Sequence, residues 1–420
     1  MPNLHLLLLL SFQSTPPATV LWSYASPAPG DRLGAAVTFL GDVDADGAPD
    51  VLVGAPGATS LGFATGSVTV LSGRTGHVLY QVDGDSAFDA FGSSLAALDD
   101  VDGDGVSDFA IGAPGGSPAG GAVHAFSGAT GAPLWTRAGE SPGDRFGSSL
   151  AGSSLRAGAS ALWCGAPNAD FAGPSAGRAY RLSGSDGTIQ WTVDGTAAFD
   201  LLGSSIAELD ANRVLIGIPF ADAAVFNGGG AQIVASSDGT PVDAVWGNVT
   251  GDQFGQWLQR LGDVDADSIP DFAVSAPGAD ANGFDSGAIH VHSGLDASLL
   301  LSIPGSAPGL FSGPVAGAGD HNGDGRADLA FGEPSASRGG DQNGRVRLLS
   351  GRDGSGLAIA FGKQANDWFG AALCGGTDLD ADGRPDVVAG APGHDDYPNQ
   401  IGYVVALTSP SGTTTEASGR

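Results

Sequence analysis

An internal repeat runs along this 420-residue sequence and limits the folds that it can adopt. A short step, in most copies an aromatic residue or Leu followed by Gly, occurs seven times along the chain. The steps are Leu33-Gly34, Phe91-Gly92, Phe146-Gly147, Leu202-Gly203, Phe254-Gly255, Phe311-Ser312 and Phe369-Gly370. The mean period is 56 residues, so seven units account for nearly the whole chain.

Each unit contains four short β-type segments. In the first unit, a Gly-Ala-Pro step at 54–56 is followed by alternating apolar runs at 67–73 and 78–82. Gly, Pro, Asp and Ser separate the segments, as is typical of strands joined by turns. No window shows helical periodicity, and the 70 Gly and 25 Pro oppose helix interiors. The pattern therefore predicts an all-β, seven-bladed β-propeller with four antiparallel strands per blade; other repeat architectures fit less well, because their repeats are shorter or helical.

The two ends of the repeat region predict how the ring closes. The seventh unit ends after its third segment, at 403–409, whereas the segment 19–24 precedes the first step and resembles a fourth strand. We expect this N-terminal strand to complete the last blade, because closure removes unpaired edges. The domains expected are a signal peptide at 1–15, the propeller at 16–410 and a disordered tail at 411–420.

Five units carry a nine-residue, Asp-rich loop between the first and second strands, at 42–50, 100–108, 263–271, 320–328 and 378–386. Side-chain oxygens fall at loop positions 1, 3, 5 and 9, and position 7 would offer its main-chain carbonyl, which is the opening spacing of a calcium loop. The candidate metal ligands are Asp42, Asp44, Asp46, Ala48, Asp50, Asp100, Asp102, Asp104, Val106, Asp108, Asp263, Asp265, Asp267, Ile269, Asp271, Asp320, Asn322, Asp324, Arg326, Asp328, Asp378, Asp380, Asp382, Arg384 and Asp386.

The length of the loops supports an ion at each one. The step and the Gly-Ala-Pro position are 20 residues apart in all five acidic units, but 18 and 14 apart in units three and four, which lack the acids. Loop position 6 is Gly in four of the five loops and Ser268 in the other, where a left-handed turn favours Gly. We predict about five Ca²⁺ sites; the alternative is a set of Asp-rich turns without metal.

Composition excludes several classes of partner. The 46 acidic and 17 basic residues give a formal charge of −29, which disfavours binding to nucleic acid or to an anionic membrane. The apolar run from Leu6 to Leu10 resembles a signal peptide, although no Lys or Arg precedes it; the alternative is an ordinary apolar N-terminus. No other segment is apolar enough to insert into a membrane. We expect a secreted or cell-surface protein. Cys164 and Cys374 belong to blades three and seven, and we expect them to be too far apart to form a disulfide.

Taken together, the Phe-Gly steps, the Gly-Ala-Pro steps and the D-x-D-x-D-G-x-x-D loops resemble FG-GAP repeats. Such repeats build the seven-bladed propeller of integrin α subunits and occur in many bacterial secreted proteins. The resemblance covers roughly residues 19–410. It implies that the loop residues bind calcium on the lower face of the propeller and that the upper-face loops bind partners. Integrin α chains continue into leg, transmembrane and cytoplasmic segments, whereas we expect a free-standing, monomeric propeller here.

The first function hypothesis is a non-catalytic binding or adhesion module for an extracellular protein or glycan. The loops between the second and third strands contain the ligand-face candidates Phe171, Phe226, Phe284 and Tyr397. Aromatic side chains on loops can stack on sugars or grip a peptide. The alternative is that they form local cores under the loops.

The second hypothesis is a glycan hydrolase or lyase with its site in the central channel or on the upper face. The sequence has no nucleophile elbow and no phosphate-binding loop, and we assign no catalytic residue. His290 and His292 share one side of a strand and could form a metal pair, but no third ligand is evident, so packing on the sheet is favoured. His321 lies inside an acidic loop and is expected to be exposed.

Overall fold

The fold was obtained as a computed structural model, which describes residues 15–59, 64–116, 120–152, 160–309, 313–337, 342–393 and 401–408. In these ranges 28 strands form seven four-stranded antiparallel sheets arranged as blades. The described residues contain no helix, and hence none that could cross a bilayer. The seven-bladed propeller predicted from the repeat is confirmed.

Strands follow the four-segment pattern in every unit. Blades one to four consist of β2 (Ala36–Phe39), β3 (Val51–Ala55), β4 (Ser67–Leu71) and β5 (Val78–Asp83); β6 (Ser94–Ala97), β7 (Phe109–Ala113), β8 (Ala122–Phe126) and β9 (Pro133–Ala138); β10 (Ser149–Gly152), β11 (Ala161–Ala166), β12 (Arg178–Ser183) and β13 (Ile189–Asp194); and β14 (Ile206–Asp210), β15 (Arg213–Ile218), β16 (Gly230–Ala235) and β17 (Pro241–Trp246). Blades five to seven consist of β18 (Leu258–Arg260), β19 (Phe272–Ala276), β20 (Ala288–His292) and β21 (Leu299–Pro304); β22 (Val315–Gly319), β23 (Asp328–Glu333), β24 (Arg345–Leu349) and β25 (Gly356–Phe361); and β26 (Ala372–Thr377), β27 (Asp386–Ala391), β28 (Tyr403–Thr408) and β1 (Thr19–Ala25).

The hydrophobic core lies between adjacent blades. The second strands β3 and β7 are buried along their whole length, whereas the residues of the fourth strands β5 and β9 are exposed or half-buried at the rim. One cluster joins Val68 and Val70 of blade one to Phe109 and Ile111 of blade two, and similar clusters follow around the ring. Because both faces of an inner strand meet a neighbouring blade, these strands are continuously apolar rather than alternating.

The Phe-Gly and Gly-Ala-Pro steps are the two sides of one contact between blades. A Cβ atom on Gly54, in the Gly-Ala-Pro step of blade one, would lie 2.0 Å from the carbonyl oxygen of Gly92, in the Phe-Gly step of blade two. Gly92 itself has φ of +91°, and the preceding Phe91 is buried in the core between the same two blades. The equivalent contact between Gly390 and Gly34 closes the ring. Both motifs therefore let neighbouring main chains touch.

Ring closure occurs as expected and extends further than expected. Strand β1 pairs antiparallel with β28 and completes blade seven. The residues before β1 also add to β25 of blade six, since Ile359 N donates to Pro16 O at 2.9 Å and Ala18 N donates to Ile359 O at 2.9 Å. Trp22 Nε1 donates to Gly73 O of blade one at 2.7 Å. One N-terminal segment thus ties together blades six, seven and one.

Cys164 and Cys374 lie in β11 and β26 and are not bonded to each other, as predicted. Residues 1–14 of the signal peptide expected at 1–15 lie outside the described residues, as do the expected tail at 411–420, Tyr397 and the sixth step at 311–312.

Candidate metal centres and binding face

All five acidic loops lie at the same end of the propeller, which we call the lower face; it carries the connections between strands one and two and between strands three and four. The upper face carries the other connections. Units three and four lack the loop: in unit four, β14 and β15 are joined directly by Ala211 and Asn212. The nine-residue acidic loops are therefore confined to five sectors of the lower face.

The same hydrogen bonds shape each loop. In the first loop, Asp42 at position 1 accepts from the main-chain N–H of Asp46 at 3.1 Å and of Gly47 at 2.9 Å, and Asp44 also accepts from Asp46 at 3.1 Å. The other four loops repeat these bonds at their own positions 1 and 3. The main chain is thus wrapped around the side-chain oxygens of positions 1 and 3.

The carboxylate at position 9 is fully buried and joins the loop to the neighbouring turn. Asp50 accepts from Val43 N at 2.7 Å and from Gly73 N, in the turn between strands three and four, at 3.0 Å. Burial raises the pKa of Asp50 from its ordinary 3.8 to about 6, although these main-chain hydrogen bonds oppose the shift. Burial raises the pKa of Asp328 and of Asp386 to about 6 in the same way.

The structure brings positions 1, 3 and 9 together in four loops, where three carboxylate oxygens lie within 4.8 Å of one another. The groups are Asp42, Asp44 and Asp50; Asp100, Asp102 and Asp108; Asp263, Asp265 and Asp271; and Asp378, Asp380 and Asp386. Position 5 is outside these groups, because its carboxylate accepts the main-chain N–H of position 7, as between Asp46 and Ala48 at 2.9 Å. Clusters of carboxylate oxygens are suited to a hard divalent cation.

The remaining loop, 320–328, has the same main-chain hydrogen bonds, but its side chains form a weaker set of metal ligands. Asn322 replaces the Asp of position 3 and donates from Nδ2 to Asp328 at 3.4 Å and to Ser350 Oγ at 3.2 Å. In loop 263–271, Ser268 adopts φ of +71°, the left-handed conformation that its position predicts. These two loops depart from the other three in the way that the sequence suggested.

The exposure expected for His321 is wrong. This residue is 6% exposed, because loop position 2, which is Val or Leu in the other acidic loops, points into the core. His290 and His292 do pack on the sheet: His292 stacks on Phe272 at a ring distance of 5.4 Å, and His290 contacts Phe254 at 5.5 Å. Burial lowers the pKa of His290 to about 4.

The upper face carries exposed aromatic side chains. Phe226 and Phe284 are 66% and 75% exposed. Phe171 is 49% exposed, and the Cζ atom of Arg178 lies 3.2 Å from the centroid of its ring. Phe88 and Phe199 were not predicted from the sequence. They lie in the connections that lead into blades two and four and are 69% and 64% exposed. The recurring Ala-Phe-Asp ahead of two steps, at 87–89 and 198–200, could have revealed them.

The central channel is a cavity of about 720 Å³ lined by the first strand of every blade. Among the described residues that line it, the charged side chains are Glu208 and Arg260. Glycoside hydrolysis ordinarily uses a pair of carboxylic acids flanking the bond. The described lining supplies one carboxylate, so it offers no such pair to the second hypothesis.

The sequence model of the FG-GAP repeat matches residues 33–71, 91–126, 260–292, 312–349 and 369–407. Five of the seven units are FG-GAP repeats. They are the same five units that carry the acidic loops; units three and four, which lack those loops, lie outside the matched residues.

The FG-GAP propeller is similar to integrin α chains. Integrin alpha-8 of Mus musculus is 32% identical over 217 residues, which cover 46% of this chain and 19% of the integrin. Integrin alpha-PS2 of Drosophila melanogaster is 39% identical over 108 residues, or 22% and 8% of the two chains. This chain thus matches about a fifth or less of the length of these relatives. A crystal structure of BBS1N in complex with ARL6DN, soaked with lead, shares the fold with a TM-score of 0.55 at 10% identity, covering 94% of this chain and 98% of that one.

Proposed function

We propose that this chain is a secreted or cell-surface, calcium-stabilised propeller that acts as a non-catalytic binding or adhesion module. The observation that carries the proposal is the recurrence of one carboxylate cluster, with one hydrogen-bond frame, in the acidic loops. The similarity to integrin α chains supports the role as a module that holds a partner.

Calcium suits these loops better than the smaller divalent cations. Ca²⁺ takes six to eight oxygen ligands in flexible geometry, whereas Mg²⁺ requires a compact octahedron. Each loop offers oxygens from positions 1, 3, 5 and 9 and the carbonyl of position 7. Position 5 would turn from the main chain toward the ion. Without a cation, the buried carboxylate at position 9 lies beside two like charges, which opposes the compact loop.

The contribution of calcium to stability is large. At millimolar calcium and a site Kd tenfold lower, each site would stabilise the folded state by about 1.4 kcal/mol. Five independent sites would add about 7 kcal/mol, which is comparable to the whole stability of an ordinary domain.

Calcium titration by calorimetry and thermal unfolding with EDTA test the metal sites. We expect about five sites in the wild type, one fewer in Asp378→Ala, and an unchanged number in the matched control Asp85→Ala, which removes an exposed Asp outside the loops. EDTA should lower the melting temperature. A wild type that binds no calcium and melts at the same temperature with EDTA would show that the loops are only turns.

The upper-face Phe side chains are the proposed contact with the partner, a protein or a glycan. Glycan and protein arrays, read with calcium and with EDTA, would identify the partner class. The double variant Phe226→Ser/Phe284→Ser should lose that binding while its calcium titration stays unchanged. Val242→Ser, which replaces an exposed apolar residue on the rim strand β17, is the matched control. Equal partner binding by both variants would remove the upper face from the proposal.

A further inference from the structure

Blade six contains a buried charge cluster that its repeat does not explain. Glu333, at the end of β23, is fully buried and forms ion pairs with Arg345 and, at 3.6 Å, with Arg347 of β24. In the other six blades the place of Glu333 is taken by Ala or Ile, and no other blade has Arg or Lys in the place of Arg347. Since six blades fold without these charges, the cluster is not needed to build a blade.

The cluster has one positive charge in excess, within a chain of formal charge −29. Arg345 is held by Glu333 and by the Ser306 hydroxyl, and Ser306 in turn donates from its main-chain N and its Oγ to Glu333 at 3.2 Å. Arg347 differs. It packs over the Phe331 ring at 5.5 Å and makes no hydrogen bond to any residue of the described ranges. A guanidinium has five N–H donors, and leaving them unused in a partly buried place is unfavourable.

Both arginines line a cavity of about 410 Å³ between blades five and six. This volume lies in the range of small-molecule sites. Asn282 and Ser306 add polar groups to the lining, and Pro304 and Leu349 add an apolar wall. The cavity thus combines a partly exposed guanidinium, whose N–H groups are not hydrogen-bonded to the described residues, with the mixed surface on which a small polar ligand is oriented.

We propose that this cavity binds a small ligand through a single carboxylate group, which Arg347 grips with two parallel N–H donors. One carboxylate makes the cluster neutral, whereas a doubly charged sulfate or phosphate would leave an uncompensated negative charge beside Glu333. The carboxylate could come from an acidic sugar or from the C-terminus of a short peptide. The site is separate from the acidic loops and the upper-face Phe residues, so it goes beyond the function proposed above.

Calorimetry on the full chain in calcium-containing, low-salt buffer tests the proposal. The probes are glucuronate with glucose as the neutral control, and the dipeptide Gly-Ala with its C-terminal amide as control. Binding of glucuronate alone identifies an acidic sugar as the source, and binding of the free dipeptide alone identifies a peptide C-terminus. Binding of neither acid at millimolar concentration overturns the proposal, as does sulfate binding more tightly than both.

Variants separate the site from general effects on folding. Arg347→Gln should abolish carboxylate binding and Arg347→Lys should weaken it at least tenfold, because an ammonium cannot form the two-donor grip. Arg352→Gln, on an exposed turn of the same blade, should bind as the wild type does. Glu333→Gln adds one net positive charge and should shift the preference toward sulfate. Undiminished glucuronate or dipeptide binding by both Arg347 variants would refute the assignment, while calcium titration of each variant reports separately on the metal sites.

Discussion

The contact between Gly54 and Gly92 gives the sharpest test of how the repeat builds the ring. Gly54→Ala adds one methyl group at a residue whose φ is not positive, so the main-chain conformation itself tolerates Ala. The new Cβ would lie 2.0 Å from the Gly92 carbonyl oxygen and 3.0 Å from its carbon. The atoms to be displaced are main chain on the neighbouring blade, which no rotamer change can relieve.

The expected cost follows from this geometry. Ordinary contact begins near 3.4 Å, so the Cβ and the oxygen must separate by about 1.4 Å. Overpacking of a rigid interior costs about 1–3 kcal/mol or more. We expect a loss near the upper end, about 3 kcal/mol, because two hydrogen-bonded sheets must move together. Gly143→Ala is the matched control: Gly143 has φ of +92° and a Cβ added there would meet no atom within 4 Å, so its cost is only conformational, about 1 kcal/mol.

Guanidinium unfolding at saturating calcium, followed by Trp fluorescence, measures both variants against the wild type. We expect Gly54→Ala to be less stable than Gly143→Ala by about 2 kcal/mol. If the two variants unfold at the same denaturant concentration, or if Gly54→Ala is the more stable, the blades are not held by the close approach of their main chains.

Three further predictions concern turns and loops. In thermal unfolding, Gly131→Ala should destabilise the fold, because its Cβ would lie 2.9 Å from the Tyr80 ring of the preceding blade. Ala297→Gly should stabilise the fold by about 1 kcal/mol, because it relieves the strain of φ at +59°. Ser268→Gly should tighten calcium binding at its own loop about fivefold, read by calorimetry against the wild type. Burial raises the pKa of Asp50 to about 6. In the metal-free protein, the stabilisation that protonated Asp50 gives to the folded state is therefore full below pH 3.8 and is lost as pH rises through 6. Calcium binding, by contrast, needs the ionised carboxylate. The gap between melting temperatures with calcium and with EDTA should therefore widen from pH 5 to pH 7; a constant gap contradicts this.

The blade architecture could be predicted from the sequence because it is encoded locally. Short apolar segments and turn residues set the four strands of each unit, and their repetition sets the number of blades. The closing strand was expected at 19–24 and is observed as Thr19–Ala25. The bonds that join residues 16–18 to Ile359 were not predicted, because that pairing spans the length of the chain and depends on the position of the finished blade six.

The candidate metal loops could also be predicted from the sequence, because their oxygens lie within nine consecutive residues. Their assignment as calcium ligands stays a prediction. Position 9 was read as a ligand only, and its second role, anchoring the loop to Gly73 at 3.0 Å, required the fold, because the turn is 23 residues away. His321 was misjudged for a related reason: acidic neighbours suggested solvent, whereas the direction of its side chain depends on the adjoining blade.

Sequence alone therefore determined the number of blades, the strand order and the position of the acidic loops, because each depends on neighbours within one unit of 56 residues. Tertiary structure alone decided what meets across the units. The contact of Gly54 with Gly92 and the cavity that joins Asn282 and Ser306 to Arg347 both lie between blades. Their geometry is set by the angle at which one twisted sheet packs on the next around a closed ring, and that angle is a property of all seven blades together rather than of any one segment.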